Sequence, residues 1–153
     1  MSQESHERDE IRKQLLPFFE ELVDTVVEAR SGTDTMQTEQ EIAHAGDRLG
    51  AHAIGQWLSS HDVDAGHIEV DGQLYYRMSE PVEKTYHTRR GRVRLMRHVY
   101  RPSGEHNGRI VCPLEVGVGM VGGQWTPGCA EAMAYVAQEL PDRAAAKGAT
   151  KMG

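Results

Sequence analysis

The 153-residue sequence has no apolar run near the ~20 residues that a membrane-spanning helix needs, so no bilayer crossing is expected. Its two cysteines, Cys112 and Cys129, are not closely paired. That excludes a disulfide framework and favours a reducing compartment. The opening residues, MSQESHERDEIRK, hold no apolar core and do not read as a secretory signal. A cytoplasmic protein is expected. No internal repeat is visible, and one domain able to bury a core is the expected unit at this length.

The most informative absence is of acid. None lies between Lys84 and Arg101, while Lys84, Arg89, Arg90, Arg92, Arg94, Arg97 and Arg101 carry seven positive charges. Residues 1–83 hold 18 acids against 6 bases, in a chain of net charge −6. Charge separated this sharply suggests a segment that faces a polyanion on an otherwise repelling body. It equally suits a hairpin that pairs with acidic helices of its own chain.

Hydrophobic spacing predicts a helix over residues 5–30, where Ile11, Leu15, Phe18, Phe19, Leu22, Val23, Val26 and Val27 recur at helical intervals opposite Glu20, Glu21, Asp24 and Glu28. Pro17 should kink it or make it restart at Leu16. A second helix is predicted over 36–60, capped by Asp34 or Thr35, with Ile42, Ala45, Leu49, Ala53, Trp57 and Leu58 as its stripe. Ala43, Gly46, Gly50, Ala51 and Gly55 would let another helix approach closely. The two helices form an antiparallel hairpin whose surface suits self-association.

After residue 60 the period changes to two. Residues 67–78 read as a hairpin turning at Asp71-Gly72. Residues 84–101 read as a second hairpin with one long strand over 92–101, followed by a loop over 103–108. Residues 109–118 read as a further strand interrupted at Pro113. Pro127 suits the first position of a helix capped by Thr126. From Asp142 no apolar periodicity remains, so residues 141–153 are expected to be a disordered tail. The expected fold class is α+β: a helical hairpin (1–60), then a small, mostly antiparallel sheet with one closing helix (61–140).

Gly117 to Gly122 spells G-x-G-x-x-G, but four residues separate it from the next helix, so a glycine-rich turn is preferred to a dinucleotide site. His67 and Glu69 with Cys112 match part of a zinc-deaminase pattern, without its paired cysteines. The eight histidines otherwise lack ligand spacing. Glu115 and Glu131 stand isolated and read as solvated charges. No metal, cofactor or small-molecule substrate is expected.

The order YHT (86–88), GRVR (91–94), RHVYR (97–101), VCPLE (111–115), GMVG (119–122) and WTP (125–127) resembles the N-terminal region of ISKra-type insertion-sequence DDE transposases. The resemblance spans most of residues 15–140, including the helical pair. Members of that family continue through a helix-turn-helix and an RNase H-like domain with three catalytic acids, none of which can be placed in this sequence. The resemblance therefore implies a truncated, non-catalytic front end of a transposase, a remnant or the first of two reading frames. DNA is the partner it implies, with the seven basic residues above as weak, sequence-tolerant phosphate contacts and the acidic helices mediating assembly. The rival readings are an oligomeric interaction protein with no nucleic-acid partner and a small nucleotide-binding protein built on the glycine-rich turn.

Overall fold

The computed structural model describes residues 2–104 and 108–152. In chain order the elements are α1 (Gln3–Ala29), α2 (Thr35–Ser59), β1 (His67–Val70), β2 (Gln73–Arg77), β3 (Val82–Thr88), β4 (Gly91–Arg97), β5 (Tyr100–Pro102), α3 (Pro113–Gly117) and α4 (Pro127–Met152). The fold is α+β, with an antiparallel helical pair, small antiparallel sheets and a C-terminal helix.

Both N-terminal helices begin at side-chain caps. Ser2 Oγ accepts from Ser5 N–H, and Asp34 Oδ1 accepts from Gln37 N–H. α1 runs through Pro17 as one element, without the restart expected at Leu16. Pro17 is exposed, so water can take up the carbonyl that its missing N–H leaves free. At the seam between the helices, Phe18 stacks on His52 with centroids 3.6 Å apart, and Ala45 is fully buried. Arg48 and Glu21 pair along one flank of the seam.

The other side of α2 packs on β4. A Cβ added to Gly55 would lie 3.7 Å from Val93 and Leu95, in ordinary contact, so the helix backbone passes about one methyl group from the sheet's side chains. Ala51, Leu58, Tyr86, Val93, Leu95, Val99, Cys112 and Leu114 form the core cluster. The apolar alternation Val93, Leu95 along β4 thus supplies the sheet half of the core, while Arg92, Arg94 and Met96 are exposed.

The strands form two sheets, β1-β2-β5 and β3-β4, both antiparallel. Asp71 and Gly72 make the first turn with φ of 51° and 78°, the two positive values of a type I′ turn. The single long strand expected over 92–101 is broken at His98 and Val99. Asp62, from the connector after α2, accepts from His98 N–H at 2.9 Å and lies 2.6 Å from its Nδ1. Val99 C=O accepts from Met78 N–H. These bonds turn the chain, and β5 pairs with β2 in the other sheet, with Tyr100 opposite Arg77. The strand expected over 109–118 is replaced by a single bridge from Val111 to Tyr100 and then by α3. Pro113 is the first residue of that helix, where a missing N–H costs nothing, rather than a break in a strand.

Thr126 Oγ1 accepts from Cys129 N–H and caps α4, as its sequence predicts. The helix continues to Met152, beyond the point at 141 where a tail was expected, through the strong helix formers Ala144, Ala145 and Ala146. Its Met133 and Val136 stay half-exposed beside Thr88 and Arg89. Among the described residues no helix is long and apolar enough to cross a membrane.

Tyr100 anchors the connector after α2. Its fully buried hydroxyl donates to Val63 C=O at 2.6 Å, lies 3.1 Å from Ala65 C=O, and accepts from Ala65 N–H at 3.0 Å. Tyr100→Phe keeps the ring but leaves these backbone groups unpaired. A loss of about 1–3 kcal/mol is expected, seen by calorimetry as a fall in Tm on the order of 5 °C. An unchanged Tm would mean that water serves the loop equally well.

Candidate nucleic-acid interface

Seven bases in one stretch of sequence do not form one surface. Strand alternation divides them between the two faces of the β3–β4 hairpin. Register places Thr85 opposite Arg94 and His87 opposite Arg92 on the outer face, and Tyr86 opposite Val93 on the inner one.

Lys84 and Arg97 belong to the inner set. Lys84 Nζ lies 2.7 Å from Glu115 Oε1. Arg97, only 8% exposed, donates through Nε to the Tyr86 hydroxyl at 2.7 Å and through Nη1 to Val82 C=O at 3.0 Å. Its Nη2 is 3.6 Å from Glu115 Oε1. The Tyr86 hydroxyl in turn donates to that same carboxylate oxygen at 2.7 Å. Expected to be phosphate contacts, these two cations are held by a carboxylate of their own chain. Glu115 corrects its own expectation too: it is the meeting point of three donors, not a solvated charge.

Of the remaining five, Arg101 lies in the other sheet opposite Tyr76, part-buried, with an Nε that finds no acceptor among the described residues. Arg90 reaches back to Asp47 of α2 at 3.2 Å, so part of the hairpin does pair with the acidic helices. Arg89, Arg92 and Arg94 are exposed. Among the described residues, the one carboxylate paired with any of them is Glu83, 3.8 Å from Arg94, in a pair open to solvent on both sides. At the turn, Thr88 Oγ1 donates to Gly91 C=O at 2.7 Å and accepts from Arg90 N–H at 3.1 Å, holding Arg89 at the tip.

The glycine-rich segment extends this surface. It does not open a helix: positive φ at Gly119, Gly122 and Gly123 folds it into a turn that docks on the free edge of β3. His87 N–H donates to Gln124 C=O at 2.8 Å, and Thr126 N–H donates to His87 C=O at 3.0 Å. Trp125 comes to lie beside His87, rings stacked at 4.1 Å and 19°. The outer face therefore runs Trp125, His87, Arg92 across the strands, a ring pair beside a free guanidinium. Among the described residues no group of three or more His, Cys, Asp or Glu is gathered as for a metal ion.

Burial acts against the charge on Glu115, but the Lys84 and Tyr86 hydrogen bonds and the charges of Lys84 and Arg97 outweigh it and hold its pKa below the usual range. Tyr86 moves the opposite way, raised first by burial and then by its bond to Glu115. Burial also raises the Cys112 thiol, which keeps it protonated and unreactive.

No known protein family matches this chain, and no curated protein or solved structure matches it either.

A carboxylate with a depressed pKa stabilises the fold fully above its unfolded value, and that stabilisation is lost as pH falls through the folded value. Glu115→Gln should therefore melt below wild type at neutral pH, by about 1.5–3 kcal/mol. The gap should close as pH drops below the ordinary carboxylate range. Melting curves between neutral and acid pH test this. A gap that persists unchanged into acid would place the loss in packing rather than charge.

Proposed function

We propose that this chain is a non-catalytic nucleic-acid-contacting protein, the N-terminal part of an ISKra-type transposase, and that it holds DNA phosphates on the outer face of the β3–β4 hairpin. The observation that carries this is the division of the basic run. Lys84 and Arg97 are bound inside, while Arg92 and Arg94 are exposed on the outer face and Arg89 at the hairpin tip, and among the described residues the one carboxylate paired with any of them is Glu83, 3.8 Å from Arg94. Three free cations over one hairpin suit a backbone track, where position rather than sequence is recognised. The motif order from residue 86 to residue 127 supports DNA as the polyanion, and no catalytic step is assigned to the chain.

Each phosphate neutralised releases condensed counterions, so binding should weaken steeply with salt. The acidic helices lie behind the hairpin and oppose approach. The expected Kd near physiological salt is in the non-specific range, roughly 10⁻⁴–10⁻⁶ M. Replacing Arg92 and Arg94 together with alanine should weaken binding to two unrelated duplexes alike and flatten the salt slope by about two units. Melting temperature should stay unchanged, because both side chains are exposed. Fluorescence anisotropy across a salt series, with a melting curve for each variant, makes the measurement. Absence of binding at low salt, or a lowered melting temperature in the double variant, would favour the rival reading of a structural hairpin in an interaction protein.

A further inference from the structure

An exposed apolar surface lies on the helical pair. α1 is 27 residues long and buries none of them. Its seam residues Leu15, Phe18 and Leu22 are half-buried against α2. One flank of the seam is closed by Glu21 and Arg48. Along the other flank run Leu16, Phe19, Val23 and Val26, between 38% and 54% exposed and spaced three or four apart.

α2 adds a groove to that same flank. In an antiparallel pair, equal rotations from the seam bring both helices to one side. Leu49 borders the seam there, and beyond it Ala43, Gly46, Gly50 and Ala53, together with the paired Asp47 and Arg90, line a hollow of about 450 Å³. A bulky ridge thus lies beside a shallow hollow on one face. The sheet packs on a different side of α2, through Ala51 and Leu58. Asp24 and Glu28 point off the far side of α1 by helical phase, so the ridge is apolar from Leu16 to Val26, and the hollow carries the Asp47–Arg90 pair.

We propose that this face takes a second copy of the same chain, closing a four-helix bundle about a two-fold axis. Ridge and hollow side by side are self-complementary, because a two-fold rotation sets each copy's ridge over the other's hollow. The surface area supports a large occupant. The chain exposes 11263 Å² at 17.0 kDa, whereas a folded monomer of that mass exposes roughly 7,700 Å². A stable interface needs about 800 Å² from each partner, well within the excess that α1 and α4 share. The pairing is independent of any nucleic acid.

Sedimentation equilibrium on the full chain, without DNA, should give twice 17.0 kDa. Phe19→Glu should shift the mass to the monomer with an unchanged circular dichroism spectrum, since half of that side chain is already exposed. Gly46→Leu gives a second route. A Cβ there meets nothing within 4 Å, so the added side chain starts into open space and occupies the hollow that an incoming helix would use. Each change should raise the dissociation constant at least ~10-fold. Val136→Glu on α4 should leave the dimer intact. The proposal is overturned if the wild-type chain is a monomer at high concentration, which would leave the face to a different protein. It is equally overturned if the dimer survives both α1–α2 changes, or if only Val136→Glu dissociates it.

Discussion

One carboxylate oxygen, Glu115 Oε1, receives the Lys84 ammonium and the Tyr86 hydroxyl at 2.7 Å each, with the Arg97 guanidinium at 3.6 Å. The donors come from β3 and β4, and the acceptor from α3, 29 residues beyond Tyr86. α3 is too short to hold itself in place by its own hydrogen bonds. The bond to Glu115, with Leu114 buried beside it, sets α3 against the hairpin and so positions the glycine turn that follows. Removing any one partner leaves charge in a part-dry site, which costs more than a pair of this kind contributes. The cations that answer Glu115 are thereby withdrawn from the outer face of the hairpin.

The other internal pairs are of a different kind. Arg90 and Asp47 are both largely exposed, as are Arg94 and Glu83. Pairs in that setting contribute ~0–1 kcal/mol and are screened by salt. An arriving phosphate can therefore take Arg90 or Arg94 from its carboxylate at small cost, whereas taking Lys84 or Arg97 would unpick the core. Net charge read along the sequence overstates the phosphate-facing charge for this reason. It also hides the order in which the hairpin's cations become available: Arg89 and Arg92 first, then Arg94 and Arg90.

What was legible in the sequence was local. Asp71-Gly72 demands a turn with two positive φ values, Thr126-Pro127 demands a helix start, and the spacing of Leu15, Phe18 and Leu22 demands a helix with one apolar side. Each depends on residues within a few positions of one another. The break in the long strand at His98 depends on Asp62, 36 residues earlier, and no pattern within 92–101 announces it. Glu115 had a fainter signal. It is the sole acid between Glu105 and Glu131, on a segment that must pass a strand whose inner face carries Lys84 and Arg97. An acid so placed near cations of buried phase is a candidate partner for them. Pro113 suits a strand interruption and the first turn of a helix equally, so local pattern alone does not announce α3.

The two proposed surfaces have a geometric relation that bears on both. The free arginines face outward from β3–β4, and the apolar flank of α1–α2 faces away from the sheet. Pairing through the helices would leave Arg92 and Arg94 uncovered on the outer face of each copy, with Arg90 at the edge of the paired surface. On the proposed reading, a single hairpin would grip a phosphate backbone weakly. Two of them fixed in one particle would bind a long duplex as a linked pair, in which the second contact is intramolecular and benefits from a high effective concentration. The gain exists only where both faces can reach the same DNA, so it should depend on duplex length while each hairpin's own affinity does not. Assembly through an apolar face also separates the two dependences on salt. Phosphate binding weakens as counterions accumulate, and burial of Phe19 and Leu16 does not. Raising salt would therefore strip the DNA from an assembly that itself stays whole.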